Sequence, residues 1–152
     1  MTLRTKLQDD LKAAMKSGDK RRLAALRLTV SAIKIAETAE RRASRGDLTD
    51  DEAIAVLQTE IKRRRDTIAE LEKADRPELL ADEKTELAVL VDYLPQQMSR
   101  EQIEVEVRQV IAELGVSGPQ AIGAVMKPLM ARLKGRADGR LINQVVRELL
   151  AG

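Results

Sequence analysis

Apolar residues recur along this chain every three or four positions, the spacing that places them on one side of an α-helix. Seven segments follow this pattern between short polar stretches, and no segment alternates polar and apolar residues as a half-buried strand would. The sequence therefore predicts an all-α protein. The apolar stripes of the first four segments are Leu3 to Met15, Leu23 to Ile33, Ile54 to Leu71 and Leu80 to Leu94.

Polar residues and glycines at the ends of these segments predict where the helices begin and end. Thr49-Asp50-Asp51-Glu52 and Ser99-Arg100-Glu101-Gln102 are capping boxes, in which two side chains satisfy free backbone N–H groups at a helix start. Gly18 and Gly115 suit the left-handed position that often follows a helix. Pro77 suits the first position of the fourth helix.

A proline after the fourth stripe divides the chain. The fourth helix should end at Leu94-Pro95, because a residue before proline disfavours the helical conformation. We predict an N-terminal domain of four helices at residues 1–94, built as two hairpins or a bundle. Residues 95–98 are predicted to be a linker, and residues 99–152 a tail domain of three short helices. Pro128 should kink or split the second helix of this tail.

The formal net charge of +2 conceals an uneven distribution. Residues 1–46 hold twelve basic and five acidic side chains, whereas residues 47–95 hold seven basic and fourteen acidic ones. Either these two stretches attract each other within the fold, or the basic stretch faces an anion such as nucleic acid.

The composition argues against most catalytic chemistry. The 152 residues include no His, Cys, Trp or Phe, and only one Tyr. A Ser-His-Asp triad or a thiol nucleophile is therefore excluded, and nitrogen or sulfur ligands for zinc are missing. We expect no catalytic residues, no metal and no cofactor, and no small-molecule substrate is evident. No apolar run approaches the ~20 residues that cross a bilayer, so we expect a cytoplasmic protein without a membrane partner.

Basic residues concentrate in the segment 127–147, which has one acidic residue, Asp138. Gly135 and Gly139 bracket a tight loop that leads into the last helix, and free N–H groups at a helix start attract anions. The pattern fits a phosphate-binding loop, but a solvated polar turn would have the same composition. The cations of this segment are Lys127, Arg132, Lys134, Arg136, Arg140 and Arg147.

A second basic tract, Lys62, Arg63, Arg64 and Arg65, lies on the third predicted helix. Four consecutive cations occupy a full turn, so most of them must face solvent. Arg64 falls within the apolar stripe. It either lies along its neighbours and pairs with Glu60, or it contacts a phosphate or a partner protein. Lys84 occupies a comparable stripe position on the fourth helix.

Several short motifs are recognisable. They are Leu26-Arg27-Leu28, Ser31-Ala32-Ile33-Lys34, Ala88-Val89-Leu90-Val91-Asp92-Tyr93-Leu94-Pro95, Gly123-Ala124-Val125-Met126-Lys127, Lys134-Gly135-Arg136-Ala137-Asp138-Gly139-Arg140 and Asn143-Gln144-Val145-Val146. Together they resemble the GatB/YqeY family, whose tail also ends the GatB component of the aspartyl/glutamyl-tRNA amidotransferase. In that enzyme the tail is associated with binding tRNA. The resemblance implies tRNA contacts at Lys127, Lys134, Gly135, Arg136, Arg140 and Asn143, to which the basic pattern adds Arg132.

The resemblance implies a non-catalytic accessory protein that binds tRNA by phosphate and shape contacts. A label such as glutamine-dependent carbon–nitrogen ligase would belong to the larger enzyme, because its catalytic parts have no counterpart in these motifs. The alternative is a helical adaptor that docks on a tRNA synthetase or on amidotransferase subunits through the tract Lys62–Arg65 and the acidic segment. An amidase or amide ligase acting alone is the third hypothesis.

Overall fold

The computed structural model describes residues 1–39, 42 and 46–151 of the chain. Within these ranges every regular element is helical, so the predicted all-α class is confirmed. A single 3₁₀ turn, Pro119–Ala121, precedes α6. The α-helices are α1 (Leu3–Ser17), α2 (Lys20–Glu37), α3 (Asp50–Lys73), α4 (Pro77–Val91), α5 (Arg100–Leu114), α6 (Ile122–Arg132) and α7 (Gly139–Ala151).

The capping residues confirm the predicted helix starts. At α3, the Thr49 hydroxyl accepts from the Glu52 N–H at 3.3 Å, and the Glu52 carboxylate accepts from the Thr49 N–H at 3.1 Å. Ser99 and Gln102 make the same reciprocal pair at α5, with distances of 3.1 and 2.9 Å. Each box satisfies two backbone donors that the helix itself leaves unpaired.

Two helix ends follow the glycines as predicted, whereas α4 ends at Val91, three residues before the predicted end at Leu94. Gly18 and Gly115 adopt left-handed conformations with φ of 76° and 62° directly after α1 and α5. Pro77 is the first residue of α4. The arginine-rich stretch at residues 41–46 is predicted to fray or end α2. Residues 41 and 43–45 of this stretch lie outside the described ranges, and α2 itself ends at Glu37.

The chain divides into two compact units, Met1–Leu94 and Pro95–Gly152. In the first unit, each helix contributes a fully buried leucine to one core: Leu7, Leu26, Leu57 and Leu90. α2 packs on α1, α3 and α4, so its apolar stripe is shared among three neighbours. Burial of these aliphatic side chains stabilises the packing of the four helices on one another.

The second unit has its own core, formed where α5, α6 and α7 pack on one another. Its fully buried side chains are Ile103, Val107, Val110, Val125, Leu129, Ile142, Val145 and Val146. Gln97 and Met98, from the predicted linker, also bond within this unit. The Met98 N–H donates to the Arg136 carbonyl at 2.8 Å, and the Gln97 amide donates to the Gly135 carbonyl at 2.9 Å.

Two stripe positions differ from prediction. Met15 is 58% exposed, and Ala14 is buried in its place. A strict four-residue spacing advances by about 40° at each step, so Met15 lies about 120° around the helix from Leu3. Lys84 is also exposed, whereas Glu86 is buried on that helix.

Pro128 was expected to kink its helix or to split it, and the split is wrong. α6 continues from Ile122 to Arg132 with Pro128 inside it. Proline lacks the N–H that would bond one turn back, which weakens a helix at that point. Val125 and Leu129, on either side of Pro128, are fully buried in the core of the second unit. Tertiary packing thus maintains the helix that local propensity would interrupt.

Candidate functional site

The loop between α6 and α7 alternates buried and exposed residues. Leu133, Gly135 and Ala137 are buried, whereas Lys134 and Arg136 between them are exposed. Gly135 has a φ of 76°, a left-handed conformation that disfavours other residues. Two basic side chains therefore project from a short loop whose other residues are held in the core.

Hydrogen bonds within this loop, and from residues 97 and 98, hold its backbone in place. The Arg136 N–H donates to the Leu133 carbonyl at 2.9 Å, which closes the turn. The carbonyls of Gly135 and Arg136 accept the bonds from Gln97 and Met98 already described. The positions from which Lys134 and Arg136 project are thus set by hydrogen bonds made by the backbone of the loop.

Asp138 occupies the start of α7 that was predicted to attract an anion. Its carboxylate accepts from the Arg140 N–H at 2.9 Å. A carboxylate at this position already satisfies the helix start electrostatically, because the helix N-terminus carries partial positive charge. The Arg140 N–H is therefore already bonded and is not free to bind an anion.

The structure separates the predicted contact residues by their surroundings. Lys127, Lys134 and Arg136 are exposed, and none makes an ion pair to any residue that the structure describes. Arg132 instead donates to Glu113 at 2.7 Å, which lowers the pKa of that carboxyl.

Two further predicted contacts, Asn143 and Arg140, already take part in interactions. The Asn143 side-chain carbonyl accepts from Arg147 at 2.7 Å. Arg140 is exposed and also engaged in an interaction of its own. Lys127, Lys134 and Arg136 are therefore the members of the set most available to an external anion.

The second basic tract is not a continuous surface. Lys62 and Arg63 are exposed, and Arg65 is half-buried. Arg64 is only 6% exposed and lies 3.2 Å from carboxylate oxygens of both Glu83 and Glu86 on α4.

The expected pairing of Glu60 with Arg64 is wrong. Glu60 contacts Arg63 instead, at 3.1 Å. Arg64 lies on the apolar side of α3, which packs on α4. There it forms ion pairs with two carboxylates of the acidic segment. Its Nε has no hydrogen-bond partner in the described structure. Burial raises the pKa of the Glu86 carboxyl, and the Arg64 charge opposes that rise.

Sequence reasoning missed a polar cluster around the single aromatic residue. The Tyr93 hydroxyl donates to Asp10 at 2.5 Å and accepts from Arg22 at 2.9 Å. The Lys6 ammonium lies 5.5 Å from the centre of the ring. Burial, then the Asp10 hydrogen bond, raises the pKa of Tyr93. Because this ring is buried within the first unit, it offers no surface on which a base could stack.

The described residues include no group of three acidic side chains that could hold a metal ion. In the same ranges, no helix has the length and apolar character needed to cross a membrane.

Comparison with known families identifies the group to which the sequence belongs. A family model described as "Yqey-like protein" matches residues 4–150. The chain belongs to the YqeY-like family. The resemblance that the sequence motifs indicated is therefore confirmed across both units.

One curated relative of this YqeY-like chain is a glutamyl-tRNA(Gln) amidotransferase subunit of Aeropyrum pernix. The two are 37% identical over 97 residues, which is 60% of this chain. The chain spans only 14% of the length of that relative. The relative is named for a glutamyl-tRNA(Gln) enzyme, whereas the motifs had indicated the aspartyl/glutamyl-tRNA enzyme.

Proposed function

We propose that this YqeY-like protein is a non-catalytic accessory protein of tRNA-dependent amidotransferases and that it binds tRNA through its second unit. The observation that carries the proposal is the α6–α7 loop. There, Lys134 and Arg136 are exposed on a hydrogen-bonded backbone and have no ion pair within the described ranges. Lys127, also exposed, adds a third cation from α6.

The chemistry of this surface favours phosphate over a neutral ligand. Lysine and arginine neutralise phosphates and release counterions, which supplies much of the affinity for nucleic acids. Structured RNA is recognised largely through its shape, phosphates and 2′-hydroxyls, so a protein without free aromatic rings can still bind it. The loop presents its cations at fixed backbone positions, which reduces the entropy lost on binding.

The relative supports tRNA as the source of those phosphates, because its name states that it belongs to a tRNA amidotransferase. This chain corresponds to a small part of that relative, and its sequence contains no His or Cys. The usual nucleophile and base pairs are thus missing from it. We infer a binding role for this part and assign the chemical steps to other parts of the enzyme.

The test compares tRNA binding by the wild type and by Lys134→Ala with Arg136→Ala at two or more salt concentrations. We expect the double variant to bind at least about tenfold more weakly at low salt. The slope of log affinity against log salt should fall by about 1.5, because two phosphate contacts are lost. Fluorescence anisotropy with labelled tRNA measures both quantities.

The matched control is Arg76→Ala with Arg108→Ala, which removes the same net charge from two exposed residues that are not part of the α6–α7 loop. We expect its affinity and salt slope to stay close to those of the wild type. Equal losses in the two double variants would show that net charge, and not this loop, governs binding. Wild-type affinity in Lys134→Ala with Arg136→Ala would refute the site.

A further inference from the structure

One side of α2 carries large apolar side chains that no described part of the fold covers. Leu28 is 57% exposed and Ile35 is 72% exposed. Arg27, Ser31 and Lys34 are exposed on the same helix. Spacings of three, four and seven residues place all five on one side of a helix. We call these five residues the α2 outer face.

The α2 outer face does not belong to the core of the first unit. The core side of this helix is formed by Leu26, Val30 and Ile33, which are 0 to 4% exposed. Through that side α2 packs on α1, α3 and α4. The helix is therefore already fully packed on one side, and its opposite side presents a second, separate apolar pair to solvent.

The spacing within the α2 outer face matches that of helices packed along their length. Leu28 and Ile35 are seven residues apart, and so are Arg27 and Lys34. A seven-residue repeat of apolar positions flanked by charged ones is the pattern by which a second helix packs alongside the first. The apolar pair would supply the contact, and the flanking charges would select the partner.

The charges on this face have one sign. Arg27 and Lys34 are both basic, and the α2 outer face includes no acidic residue. Neither cation makes an ion pair in the part of the chain that the structure describes. A partner that covers the apolar pair would bring its own flanking residues against these cations, so acidic residues would be favoured there.

We propose that the α2 outer face docks an acidic amphipathic helix of another protein. Such a helix would bury Leu28 and Ile35 under its apolar stripe and place Asp or Glu beside Arg27 and Lys34. This surface belongs to the first unit and the α6–α7 loop to the second, so the inference goes beyond tRNA binding. It also differs from the tract Lys62–Arg65, whose central residue, Arg64, is buried against α4.

Two other occupants fit the α2 outer face less well. RNA would neutralise Arg27 and Lys34 but would leave Leu28 and Ile35 without an apolar partner. A second copy related by a two-fold axis would bring this face against itself. The cations of both copies would then lie close together, which opposes association.

The experiment measures binding of two labelled 21-residue helical peptides to the full-length protein by fluorescence anisotropy. Both peptides carry leucine at the a and d positions of each heptad. One has glutamate and the other lysine at the e and g positions. We expect the glutamate peptide to bind at least about tenfold more tightly than the lysine peptide.

Two variants of the face and one control test the site. Leu28→Ser with Ile35→Ser should weaken binding of the glutamate peptide at least about tenfold. Arg27→Glu with Lys34→Glu should reverse the preference between the peptides. Leu79→Ser with Leu114→Ser, which changes two other exposed leucines, should leave binding unchanged. All changes are on the surface, and circular dichroism melts verify that each variant is folded.

Several outcomes would overturn the proposal. They are equal affinity for both peptides, no binding of either, or an equal loss in the Leu79→Ser with Leu114→Ser control. A tenfold loss of tRNA affinity in Arg27→Glu with Lys34→Glu would assign the face to RNA. A dimer in sedimentation that Leu28→Ser with Ile35→Ser dissociates would assign it to a second copy. The tRNA test at Lys134 and Arg136 is independent of all these results.

Discussion

Arg64, a candidate from its sequence position for contact with a phosphate or a partner protein, has a structural role instead. Its side chain is buried between α3 and α4 beside Glu83 and Glu86. Two carboxylates and one guanidinium leave this cluster with a net negative charge if all are ionised. Burial raises the pKa of Glu86 even though a cation lies 3.2 Å away, and the negative charge of Glu83 adds to the rise.

Replacement of Arg64 by methionine should strongly destabilise the protein. The change retains an apolar stem but leaves the Glu86 carboxylate buried without a cation. Removal of one partner of a buried ion pair costs about 3–5 kcal/mol. Urea unfolding followed by circular dichroism measures the change in free energy.

A compensating variant distinguishes the lost charge pair from lost packing. Arg64→Met with Glu86→Leu also removes the buried carboxylate, so it should recover much of the lost stability. If the second change brings no recovery, packing and not charge makes Arg64 important.

The lowered pKa of Glu52 predicts that the stability of the fold depends on pH. Hydrogen bonds from Arg42 and from the Thr49 backbone lower its pKa from 4.5 to about 2. A carboxyl with a lowered folded-state pKa stabilises the fold above its unfolded pKa, and this contribution disappears as the pH falls through the folded value. Glu52→Gln should therefore be less stable than the wild type at pH 7, and the difference should disappear between about pH 4.5 and pH 2.

Thermal melts of the wild type and Glu52→Gln across this pH range provide the measurement. Asp51→Asn serves as the control, since it removes another acidic residue from the first turn of α3. A difference between the wild type and Glu52→Gln that stays constant down to pH 2 would contradict the role assigned to the Glu52 charge.

At the scale of elements, α6 contains a proline, and contacts of the helix with the core must offset the hydrogen bond that the proline cannot make. Pro128 lies in the seventh position of the helix, where the missing N–H leaves one turn without its hydrogen bond. Core contacts by Val125 and Leu129 compensate for this local loss.

Pro128→Ala should therefore stabilise the protein by about 1–3 kcal/mol, because alanine restores the N–H and has a much higher helix propensity. Denaturant unfolding followed by circular dichroism tests this. Pro119→Ala is the control, since Pro119 begins the 3₁₀ turn, where an N–H is not needed within the helix. A loss of stability in Pro128→Ala would show that the core of the second unit requires the proline.

At the scale of the whole molecule, the boundary between units lies at Leu94 and Pro95. We predict that each of the two units folds without the other. Expressed alone, residues 1–94 should unfold cooperatively, because each of the four helices contributes a buried leucine to one core.

Expressed alone, residues 95–152 should be folded but less stable than residues 1–94, since the share of its surface that a domain buries on folding falls as the domain becomes smaller. Urea unfolding of both fragments beside the full chain measures this. Non-cooperative unfolding of residues 1–94 would show that the first unit needs the second to fold.

The sequence by itself determined the helices, their starts and several of their ends. The two capping boxes, Gly18 and Gly115 act through bonds and backbone angles within a few residues, so their effect can be inferred from neighbouring positions. Motifs spread over the chain were also enough to indicate the family, which the match over residues 4–150 confirms.

Only the tertiary structure decided which charged side chains are buried, paired or exposed. Arg64 and Glu86 meet from different helices, Arg132 meets Glu113, and Lys134 and Arg136 have no ion pair in the described ranges. These outcomes depend on how helices pack, because charges distant in sequence interact only when the fold brings them together. For the same reason, the exposure of Leu28 and Ile35 could not be read from the pattern of α2, where every apolar position is a candidate for the core.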